Sequence, residues 1–167
     1  MQVFKAKRYE KSFSVPVAAP PEKIFPLLCP VREYEWIHGW DCLLVYSESG
    51  VMEEGCVFIT DLPGEGKTVW VGSVHDPEAF RVEFIRFTPG IKVLKMELKL
   101  DGNNDGGSFL NIAYTQTSLS EEGNALIDKL KASDGAPWEA RTRLVFGLLL
   151  NHFVKTGAML KEPDRPA

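Results

Sequence analysis

The sequence predicts an α+β fold, in which a curved antiparallel sheet of six or seven strands wraps around a long C-terminal helix. Two observations lead to this prediction. Between Cys42 and Thr117, turn signals separate short segments in which apolar and polar residues alternate, a pattern typical of antiparallel strands. From Ser118 onward the apolar residues recur at helical spacing instead. A series of strands followed by one closing helix indicates the α+β class.

The composition is that of a single globular domain. The chain has 167 residues, of which 44% are hydrophobic and 25% charged, so it can form a core without disulfide or metal cross-links. We therefore expect one domain over residues 1–167, with a frayed tail at 159–167. The net charge of −4 argues against nucleic acid as a partner, because surfaces that bind phosphates gather Lys and Arg.

Cysteine usage and hydropathy predict a cytoplasmic protein without membrane insertion. Cys29, Cys42 and Cys56 are odd in number and lack CxxC spacing, which is typical of a reducing compartment. No apolar signal segment follows the basic N-terminal residues. The longest apolar run, Leu144–Leu150, is far shorter than the ~20 residues that span a bilayer.

A strand and two short helices are predicted at the start of the domain. KSFSVPV alternates from Phe13 to Val17 and predicts the strand. In APPEKIFPLL, which follows, the Pro20–Pro21 pair marks a helix start and the apolar residues have helical spacing. Because Pro26 and Pro30 then interrupt the pattern, we expect two brief helices rather than one.

Six further segments have strand character, and the last third of the chain is helical. The strand segments are CLLVYSES, GCVFITDL, KTVWVGSV, FRVEFIRF, IKVLKMELKL and SFLNIAYTQT. Ser118 or Ser120 caps the first helical segment, which SDGAP interrupts at 133–137. WEARTRLVFGLLLNHFVKTG then predicts a helix of about 20 residues that ends at Gly157. Since Leu144–Leu150 is apolar on more than one side, several sides of this helix must be covered.

This order of elements resembles the helix-grip fold of the START-like superfamily, also called SRPBCC, which includes lipid-transfer domains, Bet v 1-like plant allergens and polyketide cyclases. VPVAAPPEKIFPLL looks like the first strand and helix of that superfamily, and GCVFITDL, KTVWVGSVHDPEAFRVEFIRFTPG and YTQTSLSEEGN resemble a bacterial branch of it. The last helix of the superfamily is usually continuous, whereas SDGAP interrupts this one. The resemblance implies a cavity between sheet and helix that holds apolar or amphipathic ligands.

Aromatic residues form the main candidate site. The stretch EYEWIHGW, residues 33–40, concentrates rings in a segment that is neither a clean strand nor a long helix. Other aromatic residues lie near the centres of predicted strands. These positions suit either a packed core or the wall of a ligand cavity of about 300–1,000 Å³, and the resemblance favours the cavity. The predicted ligand-binding residues are Trp36, His38, Trp40, Phe58, Trp70, Phe84, Arg86, Met96 and Tyr114.

Arg86 has two interpretations. Alternation in FRVEFIRF places it on the same face as Val82 and Phe84, on the side of the predicted cavity. An arginine that points inward needs an anionic partner, either a protein carboxylate or a ligand carboxylate. Alternatively, Arg86 reaches solvent at the end of its strand.

We hypothesise that the protein binds an apolar or amphipathic small molecule or lipid, for transport or sequestration, without a cofactor. One alternative is a polyketide cyclase-like or aromatase-like enzyme, with Glu35, His38 and Tyr114 as acid–base candidates. Another is a protein-interaction module or chaperone co-factor, or a homodimer, that uses the surplus apolar side of Leu144–Leu150. The three histidines and three cysteines lack ligand spacing, so no metal is expected.

Overall fold

The computed structural model describes residues 4–62 and 66–160. Residues 161–167, which make up most of the tail predicted to fray, lie outside the described part. Within 4–62 and 66–160, no helix is long and apolar enough to cross a membrane.

Seven antiparallel strands form one curved sheet in the order β1-β7-β6-β5-β4-β3-β2. Each strand from β2 to β7 pairs with its neighbour in sequence, whereas β1 lies at the far edge and pairs with β7. This arrangement confirms the predicted fold class. The strands are β1 (Arg8–Val17), β2 (Cys42–Tyr46), β3 (Val57–Leu62), β4 (Gly66–Asp76), β5 (Arg81–Thr88), β6 (Lys92–Gly102) and β7 (Ser108–Ser118).

Short helical turns connect β1 to β2, and longer helices follow β7. The first group is α1 (Pro21–Ile24) with two 3₁₀ turns, Phe25–Leu28 and Glu33–Glu35. The second group is α2 (Glu121–Ala132), α3 (Ala136–Thr142), a π-helical segment (Arg143–Leu150) and α4 (Asn151–Thr156). The chain is helical without a gap from 136 to 156. This helix ends at Gly157, whose φ is 71°, as the sequence predicts.

Ser120, one of the two candidate caps, is the residue that caps α2. Its side chain accepts a hydrogen bond from the backbone N–H of Gly123 at 3.1 Å. Ser118 has a different role, because its hydroxyl accepts from the backbone N–H of Lys7 and donates to Asn124. Ser118 therefore ties the N-terminal segment to α2.

The predicted interruption of the C-terminal helix is a turn with two residues in the left-handed region. Asp134 has φ 48° and Gly135 has φ 65°, and the N–H of Gly135 donates to the carbonyl of Leu130 at 2.8 Å. A Cβ on Gly135 would lie 2.6 Å from the hydroxyl of Tyr114 and 2.7 Å from that of Tyr9. Only glycine therefore fits this contact between the helix turn and the sheet.

Two hydrophobic clusters fill the space between the sheet and the helices. The larger one joins the segment after β1 to the sheet and the last helix, and it includes Trp36, Phe146 and Leu150. The smaller one lies beneath α2 and centres on Tyr114 and Ile127. Between the two clusters the sheet and helix do not meet completely, and this leaves a cavity.

Part of the apolar segment Leu144–Leu150 faces away from the core. Phe146 and Leu150 are buried, whereas Leu144 and Leu148 are 51% and 49% exposed. The described residues therefore leave one apolar side of this segment uncovered.

The contact at Gly135 predicts a specific loss of stability. We expect Gly135→Ala to lower the free energy of unfolding by about 2–3 kcal/mol, because the new methyl group adds overpacking to the strain of a positive φ. The control is Gly157→Ala, where φ is also positive but no atom lies within 4 Å of the new Cβ; it should cost about 1 kcal/mol. Urea denaturation measures both values, and equal losses would contradict the steric role of the tyrosine hydroxyls.

Candidate functional site

A cavity of about 570 Å³ lies between the sheet and the last helix. Its volume falls within the range predicted from the sequence. Exposed His38, Gly39 and Arg141 mark the places where it meets solvent. The lining residues are Pro30, Glu33, Ile37, His38, Gly39, Trp40, Phe58, Trp70, Phe84, Arg86, Leu94, Met96, Trp138, Arg141, Thr142, Val145 and Phe146.

Three aromatic rings from neighbouring strands form the sheet side of the cavity. Phe58 and Trp70 stack nearly parallel, with ring centroids 5.6 Å apart. Phe84 meets both rings edge-on, at 5.9 and 6.2 Å. Such offset and edge-to-face arrangements are favourable for aromatic pairs, so the three rings support one another and present a firm apolar wall.

A chain of buried polar groups orients the wall and holds Arg86. The indole N–H of Trp70 donates to the hydroxyl oxygen of Thr60 at 2.9 Å, and the hydroxyls of Thr60 and Thr68 lie 3.1 Å apart. Nε of Arg86 donates to Thr68 at 3.2 Å, and its guanidinium carbon lies 5.0 Å from the Trp70 ring centroid. Arg86 is 5% exposed, so of its two interpretations the inward orientation is the one observed.

A second arginine enters the cavity from the opposite side. Arg141 projects from α3, whereas Arg86 belongs to β5 in the sheet. Burial, together with the positive charge of Arg141, lowers the pKa of Arg86 to about 10. The two guanidinium groups therefore act on each other across one region of the cavity.

The acid that lines the cavity is Glu33. Glu33 is partly accessible and lines the cavity. Burial raises the pKa of the Glu33 carboxyl to about 8, since a charged carboxylate is poorly solvated there. Glu33 is therefore mainly protonated at neutral pH and can donate a hydrogen bond.

Glu35, which the sequence suggests as a catalytic candidate, is not among the lining residues. It is exposed and accepts hydrogen bonds from Nε and Nη2 of Arg32 at 2.7 and 2.9 Å. These bonds lower the pKa of Glu35. The two glutamates of EYEWIHGW thus differ completely in environment, although they lie only two positions apart.

The tryptophans of EYEWIHGW also separate into two environments. Trp40 lines the cavity, and its indole N–H donates to the carbonyl of Pro30 at 2.9 Å. Trp36 does not line it: this side chain is fully buried, donates to the carbonyl of Leu27 at 3.1 Å and packs against Phe146. The concentration of rings therefore serves both the core and the cavity.

Tyr114 is the other predicted residue that the structure does not bring to the cavity. The ring of Trp138 lies over it, with a centroid separation of 3.9 Å, and Trp138 lines the cavity in its place. Tyr114 also packs against Tyr9 and Phe13. It thus belongs to the cluster beneath α2.

Sequence reasoning missed the contribution of the helix to the cavity. Trp138, Arg141, Thr142 and Val145 all line it. Their separations of three, four and seven positions place them on one helix face, so this spacing was a usable signal. It was hidden because the apolar run Leu144–Leu150 dominates the pattern of the segment.

A larger depression of about 640 Å³ lies between Pro16–Ala18, the loop at 103–107 and the helix around Leu148. This depression has no aromatic wall, so we assign the ligand site to the smaller cavity.

Within the described part of the chain, no group of three or more His, Cys, Asp or Glu side chains could hold a metal ion.

The raised pKa of Glu33 predicts how stability depends on pH. Glu33 loses its proton near 4.5 in the unfolded chain but near 8 in the folded protein, so folding becomes less favourable as the pH rises between these values. Glu33→Gln should therefore raise the free energy of unfolding by on the order of 2 kcal/mol at pH 8 and change it little at pH 4.

Urea denaturation at both pH values measures this effect, with Glu35→Gln as the matched control. Glu35 has a lowered pKa, so its replacement should not stabilise the protein at pH 8. An effect of Glu33→Gln that is the same at pH 4 and pH 8 would show that the carboxyl is not protonated in the folded protein.

Neither a protein-family model nor a curated protein sequence matches the chain. Solved structures do match it. DynU16, from the dynemicin biosynthetic locus, is 18% identical with a TM-score of 0.57, over 89% of this chain and 48% of DynU16. The chain therefore spans about half the length of DynU16.

Two further matches span most of the matched chain. Norcoclaurine synthase from Thalictrum flavum, solved with dopamine and hydroxybenzaldehyde, is 11% identical with a TM-score of 0.57, over 88% of this chain and 89% of the synthase. Ara h 8.0201 is 16% identical with a TM-score of 0.54, over 77% and 92%. At such identities the likeness concerns the fold: the protein has the Bet v 1-like helix-grip fold.

Proposed function

We propose that the protein binds an apolar or amphipathic small molecule in the cavity between sheet and helix, for transport or sequestration. The observation that supports this most is an aromatic-walled space of about 570 Å³. Protein interiors are normally packed to the density of organic crystals. A space of this size, lined by apolar rings and a few polar groups, has the character of a small-molecule site.

The fold neighbours are consistent with this proposal. Norcoclaurine synthase has been solved with dopamine and hydroxybenzaldehyde, two small aromatic compounds. At 11% identity that protein assigns no residue of this chain. Support for an aromatic ligand comes instead from Phe58, Trp70 and Phe84, whose faces and edges suit stacking with a flat ring.

Filling the cavity should weaken binding. Val145 lines the cavity, whereas its neighbour Leu144 is exposed on the same helix. We expect Val145→Trp to weaken the binding of the neutral fluorescent probe N-phenyl-1-naphthylamine at least tenfold, because the indole occupies the space of the probe, and Leu144→Trp to leave it unchanged. Fluorescence titration measures both affinities.

Two outcomes of this titration would count against the proposal. One is that the wild-type protein does not bind the probe. The other is that Val145→Trp and Leu144→Trp have the same effect on affinity. Circular dichroism of each variant establishes that a loss of binding does not come from a loss of fold.

An acid–base enzyme of the cyclase type is the second candidate, and Glu33 favours it. A carboxyl group that keeps its proton at neutral pH inside an aromatic cavity is suited to act as a general acid. Of the candidates from the sequence, His38 lies at the cavity, whereas Glu35 and Tyr114 do not. Glu33 is therefore the proposed general acid.

The variant Glu33→Gln distinguishes the enzyme from the binding protein. For an enzyme, it should lower turnover of a poly-β-ketone thioester by a factor of about 10² or more, while the Kd for N-phenyl-1-naphthylamine changes less than about threefold. Mass spectrometry of the products measures turnover. Absence of product with the wild type rejects the enzyme, and equal product formation with both proteins rejects Glu33 as its general acid.

We also propose a cytoplasmic location and a contact with a second protein molecule. The three cysteines are free thiols, which supports the cytoplasm as the location. Exposed Leu144 and Leu148 support a homodimer or another protein contact. Sedimentation velocity at several concentrations measures the oligomeric state.

A further inference from the structure

The face of the sheet opposite the cavity carries two rows of apolar side chains. Successive residues of a strand point to opposite faces, so the residues that alternate with the cavity-lining Phe58 and Trp70 point outward. The strand register aligns them from β2 to β6. The first row is Leu43, Ile59, Val69, Phe87 and Val93. The second row, which together with the first forms the outer apolar face, is Tyr46, Val57, Val71 and Ile85.

The described residues leave the outer apolar face open to solvent. Leu43, Tyr46 and Phe87 are 63%, 55% and 40% exposed. The β-branched members between them are partly exposed, because neighbouring side chains on one face of a sheet shield one another. A contiguous apolar patch of this kind marks a surface that another molecule covers.

The size of the outer apolar face matches the apolar part of a protein interface. Five strands about 4.8 Å apart, carrying two rows about 7 Å apart, span a patch on the order of 400 Å² when the width of the side chains is included. Each partner in a stable dimer buries about 800 Å², and about 65% of a homodimer interface is apolar. The outer apolar face therefore supplies most of the apolar area that one partner contributes.

The charged residues beside the outer apolar face favour a partner with a balanced charge. Nε of Arg81 donates to a carboxylate oxygen of Glu97 at 2.8 Å, and the amino group of Lys95 lies 2.9 Å from a carboxylate oxygen of Glu83. These groups neutralise each other, whereas a surface for anionic lipids or acidic proteins needs a surplus of Lys and Arg. A second copy of this chain has the same balanced charges and the same apolar rows.

The edge of the sheet is less suited than its outer face to such a contact. The hydroxyl of Tyr34 accepts a hydrogen bond from the backbone N–H of Cys42 and donates to its carbonyl, both at 2.7 Å. Tyr34 thus occupies backbone groups of the edge strand β2 that an added strand would need. A second molecule therefore meets the side chains of the face rather than the backbone of the edge.

We propose that two copies of the chain pack face to face through the outer apolar face, with β4 of each copy beside a two-fold axis. Two sheets pack in this way about 10 Å apart, with interdigitating side chains, and a patch that pairs with itself generates a two-fold axis. Since β4 is the middle strand of the five, the rotation places β2 of one copy over β6 of the other and covers the exposed Leu43.

This inference specifies the proposed contact with a second protein molecule and does not depend on ligand binding. It places the contact on the sheet because the helix segment offers Leu144 and Leu148 as exposed apolar side chains, whereas the sheet offers two continuous rows.

Sedimentation velocity of charge variants tests the arrangement. We expect the wild type to be dimeric at about 50 μM, because interfaces of standard size hold at micromolar concentrations or below. Val69→Lys, at the centre of the first row, should raise the dissociation constant of the dimer at least tenfold, since two like charges would be buried near the axis. Phe87→Lys should have the same effect, and it decides the matter if Val69→Lys does not fold, as judged by circular dichroism.

Two controls add the same charge at other surfaces. Thr115→Lys changes the outer face of β7, beyond the apolar rows, and Leu148→Lys changes the exposed side of the last helix. Both variants should remain dimeric. An equimolar mixture of Val69→Lys and Val69→Glu should associate at least tenfold more tightly than either variant alone, because opposite charges then meet at the axis.

Three results would overturn the inference. They are a monomeric wild type, a dimer that Leu148→Lys dissociates while Val69→Lys and Phe87→Lys do not, and a mixture of the two Val69 variants that associates no better than each alone. A monomeric wild type that binds N-phenyl-1-naphthylamine leaves the proposed ligand binding intact. A dimer that does not bind the probe rejects only ligand binding.

Discussion

The contact between Gly135 and the hydroxyl groups of Tyr9 and Tyr114 determines where the last helix meets the sheet. Because a Cβ would lie within 2.7 Å of both hydroxyls, the turn can approach the sheet this closely only with glycine at that position. Ion pairs secure the same place, since the amino group of Lys11 lies 2.7 Å from a carboxylate oxygen of Glu139. One turn later Trp138 packs on Tyr114 and becomes an end wall of the cavity. The interruption of the helix is thus part of how the cavity is built.

The sheet contributes a second constraint, which concerns charge rather than shape. Placing a guanidinium in a poorly solvated interior costs several kcal/mol unless hydrogen bonds and other charges compensate. The Thr60–Thr68 pair holds Arg86 on one side, and the Trp70 ring gives it a favourable cation–π contact. Together these contacts fix the guanidinium group of Arg86 beside the aromatic wall of the cavity.

The sequence predicted the sheet face of the cavity well, because alternation along a strand determines which side chains share a face. Phe58, Trp70, Phe84, Arg86 and Met96 all line the cavity. Alternation does not predict which residue of another element covers a given position. For this reason the sequence predicts Tyr114 at the cavity, whereas in the structure Trp138 covers it. The stretch 33–40 contains only a short 3₁₀ turn and has no extended periodicity. The pattern alone therefore cannot distinguish the environment of Glu33 from that of Glu35. The same holds for Trp36 and Trp40.

The polarity of the cavity limits how a ligand can lie in it. An anionic group placed beside Glu33 would raise the pKa of that carboxyl further, so this part of the cavity disfavours a negative charge. A hydrogen-bond acceptor such as a ketone or phenol oxygen, by contrast, can take the proton that Glu33 offers. The proposed ligand therefore places a neutral acceptor oxygen beside Glu33 and a flat apolar body against the aromatic wall. In this orientation the binding hypothesis and the acid-catalysis hypothesis share one complex, and they differ only in whether Glu33 keeps its proton or transfers it.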